Sequence, residues 1–371
     1  MKFSFFFILS LAFCFNLSAQ NCFVFVGGYN WNVYKDGLYV FEMDTTSGAL
    51  TKVSALKGII NPTYFTLSAN GAFLYSCINT KLPRKGTVAS FSFDAKSKEL
   101  TLVDSISSEG ENPVYVSIDK TGQWLANANY GTGSVSIYNL SPDGKIELAR
   151  QIISFTDSSI NKARQERSHV HSAVFSPDNN FLFAPDLGAD KIWRFGVYTD
   201  KVWPLKPLKH LKTVAGSGPR HLVFSPNGKY AYCTEELTGT VSAYKYSKGK
   251  LKCIQQLNAH ADTVTTQFSG SDIHVSPDGK FLYASNRGEE NNLAIFSIAK
   301  NGKLKLVGYQ PTLGKTPRIF AMSANGKFVI VANQLTGNIV VFKRDATTGL
   351  LTYTGHSVDV ANPSCVKVRQ Y

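Results

Sequence analysis

The chain has 371 residues, 43% hydrophobic and 18% charged, which is apolar enough for a large core and excludes a disordered chain. Twenty-five Phe and 17 Tyr against three Met favour β-strands over helical bundles. The net charge of +13 suits an acidic ligand or a plain basic surface, but no run of five basic residues exists, so no nucleic-acid partner is expected.

Residues 1–19 have the pattern of a signal peptide. Lys2 supplies a short basic start, Phe3 to Phe15 form an apolar run broken by Ser4 and Ser10, and Leu17-Ser18-Ala19 precedes Gln20 as a cleavage site. The run is too short to span a bilayer, and no later stretch reaches eighteen apolar residues. The expectation is an exported protein, periplasmic or secreted, without stable membrane insertion, whose residues 20–371 form a single domain. Cys14 leaves with the signal, and Cys22, Cys77, Cys233, Cys253 and Cys365 remain. An odd number without CxxC spacing fits neither a disulfide framework nor a metal site. Cys22 and Cys365 lie near opposite termini and pair only if the fold brings the ends together; otherwise these cysteines act as small apolar residues.

From residue 65 onward one pattern recurs: Phe65-Thr-Leu-Ser-Ala-Asn-Gly71, Val116 to Gly122, Ala173 to Asn179, Leu222 to Gly228, Ile273 to Gly279 and Phe320 to Gly326. The turn residues are spaced by 51, 57, 49, 51 and 47 positions. Each unit opens with a short apolar strand and a Ser-Pro-Asp-Gly-like turn, whose Gly or Asn accepts positive φ. A second strand follows at once, as in Lys280 to Ser285 or Lys229 to Cys233. A third comes after a polar loop, as in Ser134 to Tyr138 and Asn338 to Phe342, and then a fourth, such as Leu251 to Gln255. Four strands in about fifty residues make one blade of a β-propeller. Phe23 to Val53 reads as strands two to four of a further blade, and Asn362 to Val368 matches Asn61 to Leu67 as its missing first strand. The expected fold is therefore all-β: a seven-bladed β-propeller with four antiparallel strands per blade. The C-terminal strand closes the ring in the N-terminal blade and hides its sheet edges. Such a ring needs no partner to cover edges, so a monomer is expected.

The motifs His169-Val-His171, Pro185-Asp-Leu-Gly-Ala-Asp190, Gly218-Pro-Arg-His221, Glu235-Glu-Leu237, Asn286-Arg-Gly288 and Pro317-Arg318 fall at blade-consistent positions. In them the chain, from residue 23 to 371, resembles the lactonase family of seven-bladed propellers. That family includes bacterial 6-phosphogluconolactonases and is related to carboxy-cis,cis-muconate cyclase. The resemblance implies a carboxylic ester hydrolase acting on a sugar-acid lactone, a small-molecule substrate that is anionic or a sugar, and no cofactor. It also implies that His171, Arg220, Glu236 and Arg287 form the catalytic group, with Arg318 and Gln334 as further substrate contacts. The secretory signal departs from a cytoplasmic phosphosugar enzyme, so the fold transfers better than the identity of the sugar.

The repeat indexes the same positions independently. Four residues before Phe175 and Phe224 stand His171 and Arg220, equivalent to Thr63, Val114, Ser271 and Arg318 elsewhere. The end of strand two holds the pairs Asn129-Tyr130, Asp186-Leu187, Glu235-Glu236, Asn286-Arg287 and Asn333-Gln334. A polar ring at a channel mouth is the expected shape of a site, although such residues also simply hold water. Arg220 and Arg287 suit a carboxylate, a phosphate or a lactone oxyanion. Glu236 or His171 is the expected general base, the choice between them being open. His169, Asn129, Asp186, Glu235, Asn286, Arg318 and Gln334 are expected as substrate contacts, and His221 and His274 as structural. No metal motif, nucleotide loop or serine-hydrolase elbow occurs. Two other readings stay open: a lactonising cyclase of the muconate type, suited by several arginines, and a non-catalytic periplasmic binding propeller.

Overall fold

The computed structural model describes residues 21–371; the expected signal peptide lies outside the described residues. Twenty-eight strands form seven four-stranded antiparallel sheets arranged in a ring. Blade 1 takes its innermost strand, Pro363–Gln370, from the C-terminus and its other three, Cys22–Gly28, Asp36–Met43 and Leu50–Lys57, from the N-terminus. Blades 2 to 7 follow in chain order, covering 64–111, 113–154, 174–212, 219–258, 270–311 and 317–359.

Burial follows position within the blade. Second strands such as Phe328–Asn333, FVIVAN, are buried throughout, because both sheet faces are covered by neighbouring blades. Outermost strands such as Leu351–Asp359, LTYTGHSVD, alternate, because one face meets solvent. The turns between strands one and two hold themselves: Ser176 Oγ donates to Asp178 Oδ1 (2.5 Å) and accepts from Phe181 N (3.0 Å). Gly228 and Gly279 supply positive φ at the same turn in blades 5 and 6 (65° and 70°).

Ring closure joins residues about three hundred positions apart. Val24, Val26, Val366 and Cys365 are fully buried, and Phe23, Phe93 and Tyr371 meet edge-to-face at 5.2–5.6 Å. Ser364 Oγ donates to the Thr63 carbonyl (3.0 Å), which ties the closing strand to blade 2. Cys22 pairs in register with Gln370 and Cys365 with Gly27, at opposite ends of one ladder. All five described cysteines are free, so the Cys22–Cys365 pairing is not formed.

Because the C-terminal strand covers the Cys22–Gly28 edge, truncation after Ala361 should abolish cooperative urea unfolding and produce aggregates in size-exclusion chromatography. A truncated monomer with the parent urea midpoint would contradict this closure.

Candidate active site

Strand one of most blades carries a β-bulge where it enters the channel. The register of blade 5 passes from Pro219 to His221, that of blade 7 from Pro317 to Ile319 and that of blade 3 from Pro113 to Tyr115. Arg220, Arg318 and Val114 are the skipped residues, and a bulge re-aims its side chain. All three line one cavity of about 200 Å³ at the channel mouth. Serine hydroxyls fix these bulges across blades: Ser172 donates to the Arg220 carbonyl (2.8 Å) and Ser271 to that of Arg318 (2.7 Å).

The end of strand two sorts its residues by alternation. The first member of each pair turns into the blade. Asn129, Asn286 and Asn333 donate to carbonyls of Ser108 (3.0 Å), Ala259 (2.6 Å) and Thr312 (2.9 Å), where the preceding blade leaves its fourth strand. Asp186 accepts from the backbone of His169 (2.7 Å) and Ala189 and from Trp193 Nε1 (2.8 Å). Glu235 accepts from Ser242 (2.9 Å), Gln256 and Thr240. Of the four expected contacts, Asn129 and Asn286 thus tie neighbouring blades and Asp186 and Glu235 brace their own, and none of them lines the cavity. The second member, one residue on, faces the channel. At that place Tyr130, Glu236 and Arg287 line the cavity, while Gln334 does not.

Glu236 is the centre of the site. Its buried carboxylate takes Arg220 Nε at 2.7 Å, Arg287 Nη2 at 3.1 Å and Arg164 Nη2 at 2.6 Å. Burial works against its charge, but Arg287 and Arg220 above all, then His171 and Arg164, hold its pKa well below the carboxylate range. Arg220 is 1% exposed, and its pKa falls to about 9. Burial and the facing Arg287 cost it more than one shared carboxylate returns, yet it remains a cation at neutral pH.

His171, also expected at the centre, is buried and lines the same cavity. Its Nδ1 has no hydrogen-bond partner among the described residues. Burial, with Arg220 and His221 beside it, holds its pKa well below the usual imidazole range, so the ring is neutral. The other expected contact on that segment, His169, stacks on Tyr130 (4.3 Å), with Nδ1 bonded to the Tyr130 carbonyl (2.9 Å) and Nε2 to Glu166 (3.1 Å). It positions Tyr130 and is absent from the cavity wall.

One step deeper, His221 bridges Arg220 Nη1 (3.1 Å) and Asp272 Oδ1 (2.9 Å), and His274 Nε2 meets Asp272 Oδ2 (2.8 Å). Arg220 cannot accept, so the neutral His221 carries its proton on Nδ1, facing Asp272. Burial and Arg220 lower the His221 pKa to about 3. Tyr115 stacks on Tyr64 (4.2 Å) and meets His221 edge-on (5.3 Å). None of these groups lines the cavity, and His221 holds the Arg220 guanidinium from behind.

The cavity also holds residues outside the expected set: Tyr29, Lys81, Asn112, Val114, Tyr130 and Arg164. Arg164 comes from the long segment before strand one of blade 4. Buried Gln165 pins that segment by donating Nε2 to the Leu187 carbonyl (2.8 Å) and accepting from Asn161 N (3.1 Å). Gly188 lets it lie close, since a Cβ there would collide with the Arg167 carbonyl. Tyr29 stands just beyond the Cys22–Gly28 strand, the place in blade 1 that Glu236 and Arg287 occupy in theirs. The same backbone bond marks all three: Tyr29 N to Asn362 O (3.0 Å), Glu236 N to Gly218 O (2.8 Å) and Arg287 N to Ser269 O (3.0 Å). No cluster of metal-ligating side chains occurs among the described residues.

Comparison with known proteins agrees with this architecture. A family model described as "Lactonase, 7-bladed beta-propeller" matches residues 23–368. A protein of Formosa agariphila named 6-phosphogluconolactonase is 42% identical over 352 residues, 94% of this chain and 99% of the relative. One of the same name from Bacillus subtilis is 36% identical, over 90% of this chain and 94% of its own length. The solved structure of a periplasmic gluconolactonase from Pseudomonas aeruginosa superposes with a TM-score of 0.89 at 32% identity, covering 94% of this chain and 98% of that one. The chain belongs to the lactonase family of seven-bladed β-propellers.

Proposed function

We propose that the protein hydrolyses a sugar-acid lactone at this channel mouth, with neutral His171 as the general base. The observation that carries the reading is the pairing, in one cavity, of an unpartnered imidazole nitrogen with a rigid group of arginines. Relatives named 6-phosphogluconolactonase and gluconolactonase support the substrate class, a phosphorylated sugar lactone or its unphosphorylated analogue.

His171 takes a proton from water, and the resulting hydroxide attacks the lactone carbonyl carbon. The negative charge that develops on the carbonyl oxygen needs donors already in place. Arg220 spends Nε on Glu236 and Nη1 on the Ser271 carbonyl and His221, which leaves Nη2 for the oxyanion. Arg287 spends Nε and Nη2 on the Ser269 and Gly270 carbonyls and on Glu236, which leaves Nη1. Glu236, tied to three guanidiniums, aligns these donors and offsets part of their charge. Its oxygens are occupied by three guanidiniums whereas His171 Nδ1 has no partner among the described residues, so of the two candidate bases His171 is preferred. The five cations of the cavity wall, Lys81, Arg164, Arg220, Arg287 and Arg318, against the single carboxylate of Glu236 favour an anionic substrate. That excess also keeps a lactonising reaction on an unsaturated dicarboxylate as the second reading.

Export is proposed from the basic-then-apolar pattern of residues 1–19, which precede the single domain of residues 20–371, and from the relative described as periplasmic. Among the described residues no helix is long and apolar enough to cross a membrane. Amino-terminal sequencing of the protein recovered outside the cytoplasm should begin at Gln20; an intact Met1 would contradict export.

In a pH-stat, the parent protein should hydrolyse gluconolactone or its 6-phosphate above the uncatalysed rate. His171→Ala should lower kcat by about 10²–10⁴-fold with little change in KM, and Arg287→Ala by about 10²–10³-fold. Catalysis by His171→Ala at the parent rate would overturn the base assignment. Absence of turnover on either lactone, with turnover of a muconate-type dicarboxylate, would favour the second reading; saturable binding without any turnover would leave a binding propeller.

A further inference from the structure

Hydrolysis of an alkyl lactone needs a second proton transfer, because the ring oxygen leaves as an alkoxide unless it is protonated. Among the four centrally placed residues Glu236 is held ionised and arginine does not give up its proton, so only His171, once it has taken the proton of water, competes with a separate acid. The cavity wall contains two phenols, and of these burial raises the pKa of Tyr130, whereas Tyr29 sits between two cations.

Tyr29 is 6% exposed and lines the cavity in blade 1, three blades round the ring from His171 in blade 4. It therefore faces His171 across the channel mouth. Two cations flank its ring: Lys81 Nζ lies 4.3 Å from the centroid and the Arg318 guanidinium 5.5 Å. Neither cation forms an ion pair with an acidic side chain among the described residues, in contrast to Arg164, Arg220 and Arg287. Their charge is thus available to a phenolate. Burial opposes ionisation of the phenol, but Arg318 and Lys81 outweigh it and bring its pKa below the usual tyrosine value.

We propose that Tyr29 is the general acid of the reaction, protonating the departing ring oxygen, with Lys81 and Arg318 stabilising the phenolate that forms. The assignment rests on the lactonase reading above. When the tetrahedral intermediate collapses, the bond from the carbonyl carbon to the ring oxygen breaks and that oxygen takes the Tyr29 phenolic proton. The phenolate then recovers a proton, through solvent, from the imidazolium that His171 became in the first step. The net change is one water added across the ester bond, and both side chains return to their starting state. Base and acid on opposite sides of the mouth suit an ester whose attacked carbon and leaving oxygen are adjacent atoms of one ring.

The test measures kcat and KM for gluconolactone hydrolysis by the parent, Tyr29→Phe and Lys81→Met, with gluconate affinity and thermal midpoint measured on each. Tyr29→Phe should lose about 10²–10⁴-fold in kcat, with KM and gluconate affinity within about threefold of the parent. Lys81→Met, at an exposed position, should lose on the order of tenfold in kcat by the same route, and it carries the test if Tyr29→Phe does not fold. A raised KM with unchanged kcat would make this corner a binding subsite and overturn the acid assignment. Parent-like kcat in the folded variants would overturn it as well. A parent protein without turnover would instead remove the lactonase reading on which the proposal stands.

Discussion

The site depends on one buried carboxylate shared by three guanidiniums. Burying any one of these charges alone would cost several kcal/mol, and a pair seldom recovers it fully. Glu236 with Arg164, Arg220 and Arg287 answers this by supplying several charge-assisted hydrogen bonds to one acceptor. Further donors of Arg220 go to the Ser271 carbonyl and His221, and those of Arg287 to the Ser269 and Gly270 carbonyls, which leaves one terminal nitrogen of each for a ligand. The result is a cationic plate whose atoms are fixed before any substrate arrives. A preorganised plate needs no rearrangement as charge develops on a bound oxygen.

The propeller provides that plate through two repeated devices. Bulges at the start of strand one turn Arg220 and Arg318 toward the channel, and the end of strand two places alternate residues inward and outward. Seven near-identical blades thus offer two side-chain positions each at one mouth. Chemistry is written by which residues fill them, while beside them Asn129, Asn286 and Asn333 repeat one bond to the preceding blade.

The ring, its seven blades and its closure by the last strand were legible in the chain, because the turn spacing near fifty residues and the match of Asn362 to Asn61 are local patterns. The place of His171, Arg220, Glu236, Arg287 and Arg318 on one cavity wall was legible as well, since equivalent positions can be counted from the turns. Asn129, Asp186, Glu235 and Asn286 are polar and stand beside the channel-facing positions, and only the folded ladder shows that they turn into the blade and away from the cavity. Tyr29 was hidden because blade 1 is split between the termini and lacks a turn from which to count. Lys81 lies in the loop between the second and third strands of blade 2 and Arg164 on the segment before blade 4, and nothing in the residues alone brings them to the mouth.

Two neighbours in the cavity differ in protonation state: Glu236 is held as an anion and His171 as a neutral ring. The most direct test is the ring-nitrogen NMR shift of His171 followed from pH 8 to pH 5, assigned with His171→Gln. Its pKa lies well below 6.5, so the ring should stay neutral and its shifts nearly constant across that range. A titration centred near 6.5 would contradict the account, because it would show an imidazole that burial and Arg220 do not hold neutral.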